Sequence, residues 1–327
     1  MPKSARDGVL VFNAHQRTLT AVATDILRAG VGGKIPTSLQ VQERLDVGSG
    51  TVQKALRHLV DIDAVRLRAK GHQGTLIEAL SPALLWNAAA LPPLRAVLTP
   101  PGAIESTLLA RGMREQLAKH GVGVEYDFVR GAGRRLELLA GGAPRVALLS
   151  RGAAVEHGAF DDPALLVLDL GQRTYYSEHT LVVLARPGLN LKGPERIKVA
   201  RDSDSFDHTQ LTKREFPRQP NIEYIECTFP DVPGAILEGR ADVGVWHQVV
   251  TSITPQQAGL ELRPMRWLSN DAQLVMLSRG VLVWRSEFGE VSELLRLLDL
   301  SLIQREQARL AATGIRSPEV RRIVPWM

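Results

Sequence analysis

The feature that most constrains this chain is the stretch 37–61, whose punctuation demands two short helices meeting at a turn. Thr37 followed three residues later by Gln40 matches a capping box, in which the two side chains satisfy free N–H groups at a helix start. Val41 and Leu45 then fall four apart, on one face of a helix over 39–45. The Asp46-Val47-Gly48 turn interrupts that helix, and a second follows over about 49–61. Within it Val52, Ala55, Leu56, Leu59 and Val60 recur at the spacing of a single apolar stripe. Thr51, Gln53, Lys54, Arg57 and His58 occupy the other faces. One side of this helix is built to pack, the other to present donors outward.

The flanks extend the pattern. Residues 15–29 carry Leu19, Val22, Ala23, Ile26 and Leu27 at helical spacing, and Gly30, Gly32 and Gly33 end the run. Beyond the second helix, short extended stretches at 65–68 and 75–77 are joined by the basic, glycine-bounded segment Lys70-Gly71-His72-Gln73-Gly74, which reads as a wing. This order resembles the GntR-type winged helix-turn-helix, where a start like Ile35-Pro36-Thr37 precedes the helix pair. The stretch 47–52 and Gly74-Thr75 stand at that family's corresponding positions. There are departures: the family usually places Ser then Arg where this chain has Gly48 and Ser49, and its wing is one residue shorter. The resemblance implies that the helix over 49–61 enters the major groove of double-stranded DNA. The contact set it implies is Thr37, Ser38, Ser49, Thr51, Gln53, Lys54, Arg57, Lys70, His72 and Gln73. Ser49 can donate to a phosphate or a base but lacks the bidentate grip of an arginine. Charge agrees in sign: residues 1–80 hold 11 Lys and Arg against 7 Asp and Glu, and the rest of the chain 29 against 28.

A length of 327 residues exceeds one typical domain. Ser81-Pro82, Ala88-Ala89-Ala90 and Pro92-Pro93 mark a change of composition, so 1–80 is expected as the winged domain, 81–93 as a linker and 94–327 as a second domain. A short apolar helix (Leu84, Leu85, Trp86) is expected inside the linker. From Leu94 onward strands at 94–98, 124–129 and 145–149 alternate with helices at 105–120 and 134–140, which predicts parallel pairing in a doubly wound sheet. A similar unit recurs with strands at 197–200, 222–227 and 242–246 and a helix at 232–238. Apolar segments at 165–170, 181–185 and 274–277 are expected to carry the chain between the halves, and one helix over 287–312 to close it. Fold class is thus α/β, with a winged helix-turn-helix ahead of two lobes. The two lobes resemble the type 2 periplasmic-binding-protein fold, and the whole layout resembles the YhfZ family, the stretch 171–181 and the wing most of all.

Motifs of catalysis are missing from the chain. There is no G-x-x-x-x-G-K-[ST], H-E-x-x-H, G-x-S-x-G or C-x-x-C, and the paired glycines at 121–123 and 131–133 lack the third glycine of a dinucleotide fingerprint. Cys227 is the single cysteine and the eight histidines show no ligand spacing, so neither a cofactor nor a metal is expected. No apolar run reaches the roughly 18 residues of a membrane span, and the N-terminus lacks a signal-peptide core, so a cytoplasmic location is expected. Ligands of doubly wound folds bind beyond the carboxyl ends of strands. That rule selects Thr99, Ser106, Arg130 and Ser150 in one half, Ser203, Ser205 and Trp246 in the other, and Tyr175, Ser177 and His179 near the hinge. Arg130 and the clustered hydroxyls favour an anionic or amphoteric small-molecule effector, with Arg130 clamping its acid end. The reading is a regulator, acting as a homodimer on DNA; an enzyme on the same scaffold and a ligand-free DNA-binding adaptor are the alternatives.

Overall fold

Asn13 opens the first helix by accepting a hydrogen bond from the Gln16 N–H at 2.9 Å, and α1 (Ala14–Ala29) follows. A computed structural model describes residues 13–142, 144–266, 271–314 and 317–323. The side chains of Gln73, Arg321 and Ile323 lie outside the description, so the expected DNA contact of Gln73 is not placed. The chain forms two units: Met1–Pro93 with Leu117–Gly123 and Glu287–Leu298, and Leu94–Gln116 with Val124–Ser286 and Asp299–Met327.

In the first unit the capping box is present at α2 (Ser38–Leu45): the Thr37 N–H donates to Gln40 Oε1 at 2.9 Å, and the Gln40 N–H to Thr37 Oγ1 at 3.3 Å. Asp46, in the left-handed region at φ 52°, turns the chain into α3 (Ser49–Asp61). Val52, Ala55 and Leu59 are fully buried, as are Ala23, Ile26 and Leu27 of α1, on which α3 packs. Val60 departs from the expectation and is 42% exposed. Eight residues on from Val52 it has rotated by about 80° and left the stripe. The antiparallel strands β1 (Val65–Ala69) and β2 (Thr75–Leu80) form the wing, closed by Lys70 N–H to Gly74 O at 2.8 Å. Residues 32–35 run along β2, with Gly32 N–H to Ile77 O at 2.8 Å and Ile77 N–H to Gly33 O at 2.9 Å.

Residues 81–93, expected as a linker, are folded into this unit. Their helix α4 (Pro82–Ala88) packs on α1, burying Leu85 and Trp86, and the indole donates to Pro92 O at 3.1 Å. An apolar face this large is stable only against a core.

The second unit holds two five-stranded sheets. The elements in chain order begin with β3 (Leu94–Leu98), α5 (Ile104–Ala118), β4 (Val124–Phe128), α6 (Ala132–Ala140), β5 (Val146–Ser150), α7 (Arg151–Glu156) and β6 (Leu165–Asp169). They continue with β7 (Leu181–Ala185), β8 (Ile197–Arg201), α8 (Phe206–Glu215), β9 (Ile222–Glu226), α9 (Val232–Leu237), β10 (Val243–His247), β11 (Glu261–Pro264), α10 (Ala272–Ser278) and β12 (Gly280–Arg285). The first sheet runs β4-β3-β5-β12-β6 and the second β9-β8-β10-β7-β11. In each, three strands from one half are parallel, and the fourth strand is antiparallel and comes from beyond a crossover. This reciprocal exchange, with β7 reached through residues 170–180 and β12 following α10, is the topology of a two-lobed periplasmic-binding-protein-like domain.

Two expectations fail here for local reasons. Residues 274–277 are not an extended crossing but the middle of α10, which Asp271 caps by accepting from the Leu274 N–H at 3.0 Å. The single helix over 287–312 is two: α11 (Gly289–Leu295) belongs to the first unit, and α12 (Leu300–Thr313) starts afresh where Asp299 accepts from the Leu302 N–H at 3.0 Å. In the first unit α11 packs on α1, where Arg28 pairs with the buried Glu290 at 3.1 Å. The short α13 (Pro318–Ile323) ends the described chain.

Candidate functional site

Two sites take shape, one in each unit. In the first, α3 turns Ser49, Gln53, Lys54, Arg57 and His58 to solvent and leaves Thr51 half-buried. A groove of about 920 Å³ opens between this helix and the wing, floored by Leu56 and bordered by Lys34, Ser38, Gln53 and His72. Thr37 borders it too, with its hydroxyl already engaged in the capping box. Lys70 is exposed on the wing. The cap position of α3 is Gly48, which supplies no side-chain acceptor, so no side chain caps the first turn, and its Thr51 N–H donates to Gly48 O at 3.0 Å.

In the second unit a cavity of about 180 Å³ lies between the two lobes. Its walls come from the segments that follow the parallel strands: Thr99–Ser106 after β3, Arg130–Arg135 after β4, Asp202–Asp207 after β8, Phe229 and Pro230 after β9, and Trp246 and His247 at the end of β10. Tyr175 and Tyr176, from the crossover, complete it, their rings 4.8 Å apart and edge-on.

Of the residues selected from the sequence, Thr99, Ser106, Arg130, Tyr175, Ser205 and Trp246 line this cavity. The other four point elsewhere. Ser150 is fully buried, accepts from the Ala153 N–H at the start of α7 and donates to Asp207 at 2.6 Å. Ser177 is buried and donates to Glu105 at 3.1 Å. His179 and Ser203 are exposed; the His179 carbonyl accepts from Gln248, and the Ser203 N–H donates to Glu226. Ser205 itself caps α8, accepting from the His208 N–H at 3.3 Å.

Arg130 does not wait as a free clamp. Its guanidinium reaches across to the second lobe and pairs with Asp202 at 2.7 Å and Asp204 at 3.6 Å. Asp202, with 2% of its side chain exposed, also accepts from the Phe229 N–H at 2.8 Å. His208 fixes that loop from beneath. Burial pushes its pKa down to about 4, so the ring is neutral; Nδ1 accepts from the Asp202 N–H and Nε2 donates to Val245 O at 3.0 Å.

Three buried residues were not selected from the sequence. Glu105, at the start of α5, accepts from Thr180 at 2.6 Å and meets His247 Nε2 at 3.1 Å. Burial alone would raise its pKa, but His247 and Thr180 outweigh that and hold it below the usual carboxylate value. Arg135, 2% exposed, donates to Leu148 O at 2.7 Å, Val129 O at 2.8 Å and the Tyr175 hydroxyl at 3.1 Å. Its signal was its place four residues before Leu139, on the inner face of α6. Asp207, on the first turn of α8, carries a pKa pushed up to about 6 by burial, with Ser150, Arg135 and Tyr176 offsetting part of that rise. Nothing local distinguishes it from an ordinary first-turn acid. Among the described residues no group of three or more His, Cys, Asp and Glu side chains could hold a metal ion, and no helix is long and apolar enough to cross a membrane.

Comparison with known proteins follows this division. The family profile of the YhfZ C-terminal domain matches residues 82–317, and that of a helix-turn-helix domain matches 30–77. The protein YhfZ of Escherichia coli (strain K12) is 26% identical over 296 residues, covering 90% of this chain and 94% of that protein. The crystal structure of YhfZ from Shigella flexneri superposes with a TM-score of 0.51 at 22% identity, over 72% of this chain and 97% of that one. A ligand-binding component of an ABC-type import system from Staphylococcus aureus, with zinc bound, gives a TM-score of 0.47 at 13% identity, over 72% of this chain and 84% of that chain.

Proposed function

This chain belongs to the YhfZ family, and on that premise we propose that it is a DNA-binding transcription regulator whose operator affinity is set by a small molecule held between the two lobes. Residues 1–80 read the duplex and 94–327 sense the effector. The observation that carries the reading is the division of α3: Val52, Ala55 and Leu59 are fully buried while Gln53, Lys54 and Arg57 are exposed, Gln53 on the border of the wing groove. Such a helix places donors at base edges and cations at phosphates. The uncapped N-terminus of α3 beside Ser49 adds N–H groups for a phosphate oxygen. The inter-lobe cavity supplies the second half of the reading, since a ligand gripped by both lobes favours one lobe arrangement over others. The protein works by binding and not by turnover, in the cytoplasm, as a homodimer: one short recognition helix contacts too few bases for tight specific binding, and paired half-sites double the contact.

The test is fluorescence anisotropy with a labelled duplex from upstream of the gene, across a range of salt concentrations. Lys54→Ala with Arg57→Ala should weaken binding and lower the slope of log affinity against log salt by up to about 2, since each phosphate contact contributes about 0.9. The titration should saturate at a pair of chains for each duplex. An unchanged affinity and slope in the double variant would refute the assignment of α3.

A further inference from the structure

Two buried charges of opposite sign face the inter-lobe cavity, and neither has a counter-ion among its hydrogen-bond partners. Arg135, from the first lobe, donates to two backbone carbonyls and the Tyr175 hydroxyl, all uncharged. Asp207, from the second lobe and 5% exposed, accepts from the Ser150 hydroxyl at 2.6 Å, with Tyr176 beside it lowering its pKa. Arg135 offsets part of the burial cost at Asp207, but no hydrogen bond joins the two, and a buried charge short of a direct partner remains costly. Adjacent tyrosines in the crossover line the cavity with the two groups, and Tyr175 accepts from Arg135. The other charges at the cavity are already spent: Arg130 is paired with Asp202 and Asp204, and His247 meets Glu105.

We propose that the cavity takes a small zwitterion of the amino-acid type, its carboxylate on Arg135 and its ammonium on Asp207. This rests on the effector reading above and names the chemical class that site accepts. A plain anion would satisfy Arg135 and meet Asp207 as a like charge; a plain amine would do the reverse; a neutral sugar would leave the two charges with only their mutual attraction. Only a molecule carrying both signs answers both groups. A guanidinium matches a carboxylate in a fork geometry, and a buried carboxylate suits an ammonium as a compact point charge. The volume of about 180 Å³ suits a small molecule, and Phe206, Phe229 and Trp246 give its side chain an apolar and aromatic surround. Because the two charges sit on different lobes, such a ligand ties the lobes together.

The experiment is isothermal calorimetry on the full-length protein with the proteinogenic L-amino acids, β-alanine and γ-aminobutyrate offered singly. Each binder is then compared with its des-amino acid and its decarboxylated amine. The expected result is that at least one zwitterion binds and that both analogues bind about tenfold more weakly or worse. Asp207→Asn and Arg135→Lys should each weaken the zwitterion by a similar factor. The analogue comparison uses the wild-type protein and so stands even if the Arg135 variant fails to fold. Absence of binding by every zwitterion, or equal binding of a des-amino acid or an amine, overturns the proposal. Repeating the DNA titration with each ligand separates the two readings. A zwitterion that binds without changing DNA affinity upholds this assignment and refutes the sensing role. A neutral sugar or dicarboxylate that binds and changes DNA affinity overturns this assignment and leaves the sensing role standing.

Discussion

Replacing Asp207 with Asn should make the ligand-free protein more stable, and by an amount that depends on pH. The carboxyl is buried, receives the Ser150 hydroxyl at 2.6 Å, and has its pKa pushed up to about 6, chiefly by burial. In an unfolded chain an Asp titrates near 3.9. An acid whose pKa is higher in the folded than in the unfolded state takes up a proton on folding between those values. Stability therefore falls as pH rises from about 4 to about 6, and stays at its lower level above that window. Two pKa units correspond to about 3 kcal/mol. Asn is isosteric and never ionises, so it escapes this penalty: it can accept from Ser150 through its carbonyl and donate to the Tyr176 oxygen through its amide. Compared with wild type, Asp207→Asn should gain about 2–3 kcal/mol more at pH 8 than at pH 4. Urea denaturation of both proteins at the two pH values, with m-values compared, measures this directly. A stability difference that is the same at both pH values, or that favours Asp at pH 8, would refute the claim that a carboxylate is held here at a cost.

Two further outcomes follow from the packing. Leu85→Ala removes a fully buried side chain from α4 and should cost about 2–5 kcal/mol in thermal or chemical denaturation; a free linker at 81–93 would show no loss. Arg130 and Asp202 should couple by about 1 kcal/mol in a double-mutant cycle of Arg130→Met and Asp202→Asn, because Arg130 keeps 40% of its side chain in solvent. A coupling of zero would show that the Phe229 and Asp204 N–H groups alone hold Asp202.

The parts of this fold legible in the sequence are those specified by neighbours along the chain. Thr37 with Gln40 announces the start of α2, Asp46 to Gly48 its end, and the 52–55–59 stripe the inner face of α3, because caps, turns and helical faces need only residues a few positions apart. The parallel strands show for the same reason, β5 and β10 as apolar runs and β4 and β9 as short alternations of apolar and charged residues. What failed depends on distant partners. Nothing within a few residues of 280–285 announces that β12 will sit between β5 and β6, the exchange that makes two lobes into one domain. Arg134 and Arg135 are neighbours of identical type, yet the first is exposed and paired with Glu137 while the second is buried at the cavity. Ser150 looked like a ligand hydroxyl from its place after a strand, and its actual partner is 57 positions away on the other lobe. Arg130 lines the cavity with its charge already matched by Asp202, whose approach only the folded lobes create.

Those cross-lobe ties also bound what an effector must do. Arg130 with Asp202, Ser150 with Asp207, and Glu105 with His247 join the lobes through the protein's own side chains. A ligand that bound equally to every lobe arrangement would change nothing, however tightly it bound; only a difference in affinity shifts the balance. A hundredfold change in DNA affinity asks for a coupling of about 2.7 kcal/mol. Ionising Asp207 in its buried setting costs about 3 kcal/mol at neutral pH, by the pKa of about 6. An ammonium placed against that carboxylate offsets the cost, and a carboxylate on the same molecule can reach Arg135 only in the arrangement where both groups face one ligand. The relief of one buried charge is thus of the size a regulatory switch requires, and a zwitterion supplies it at Asp207 while its carboxylate meets Arg135 on the other lobe.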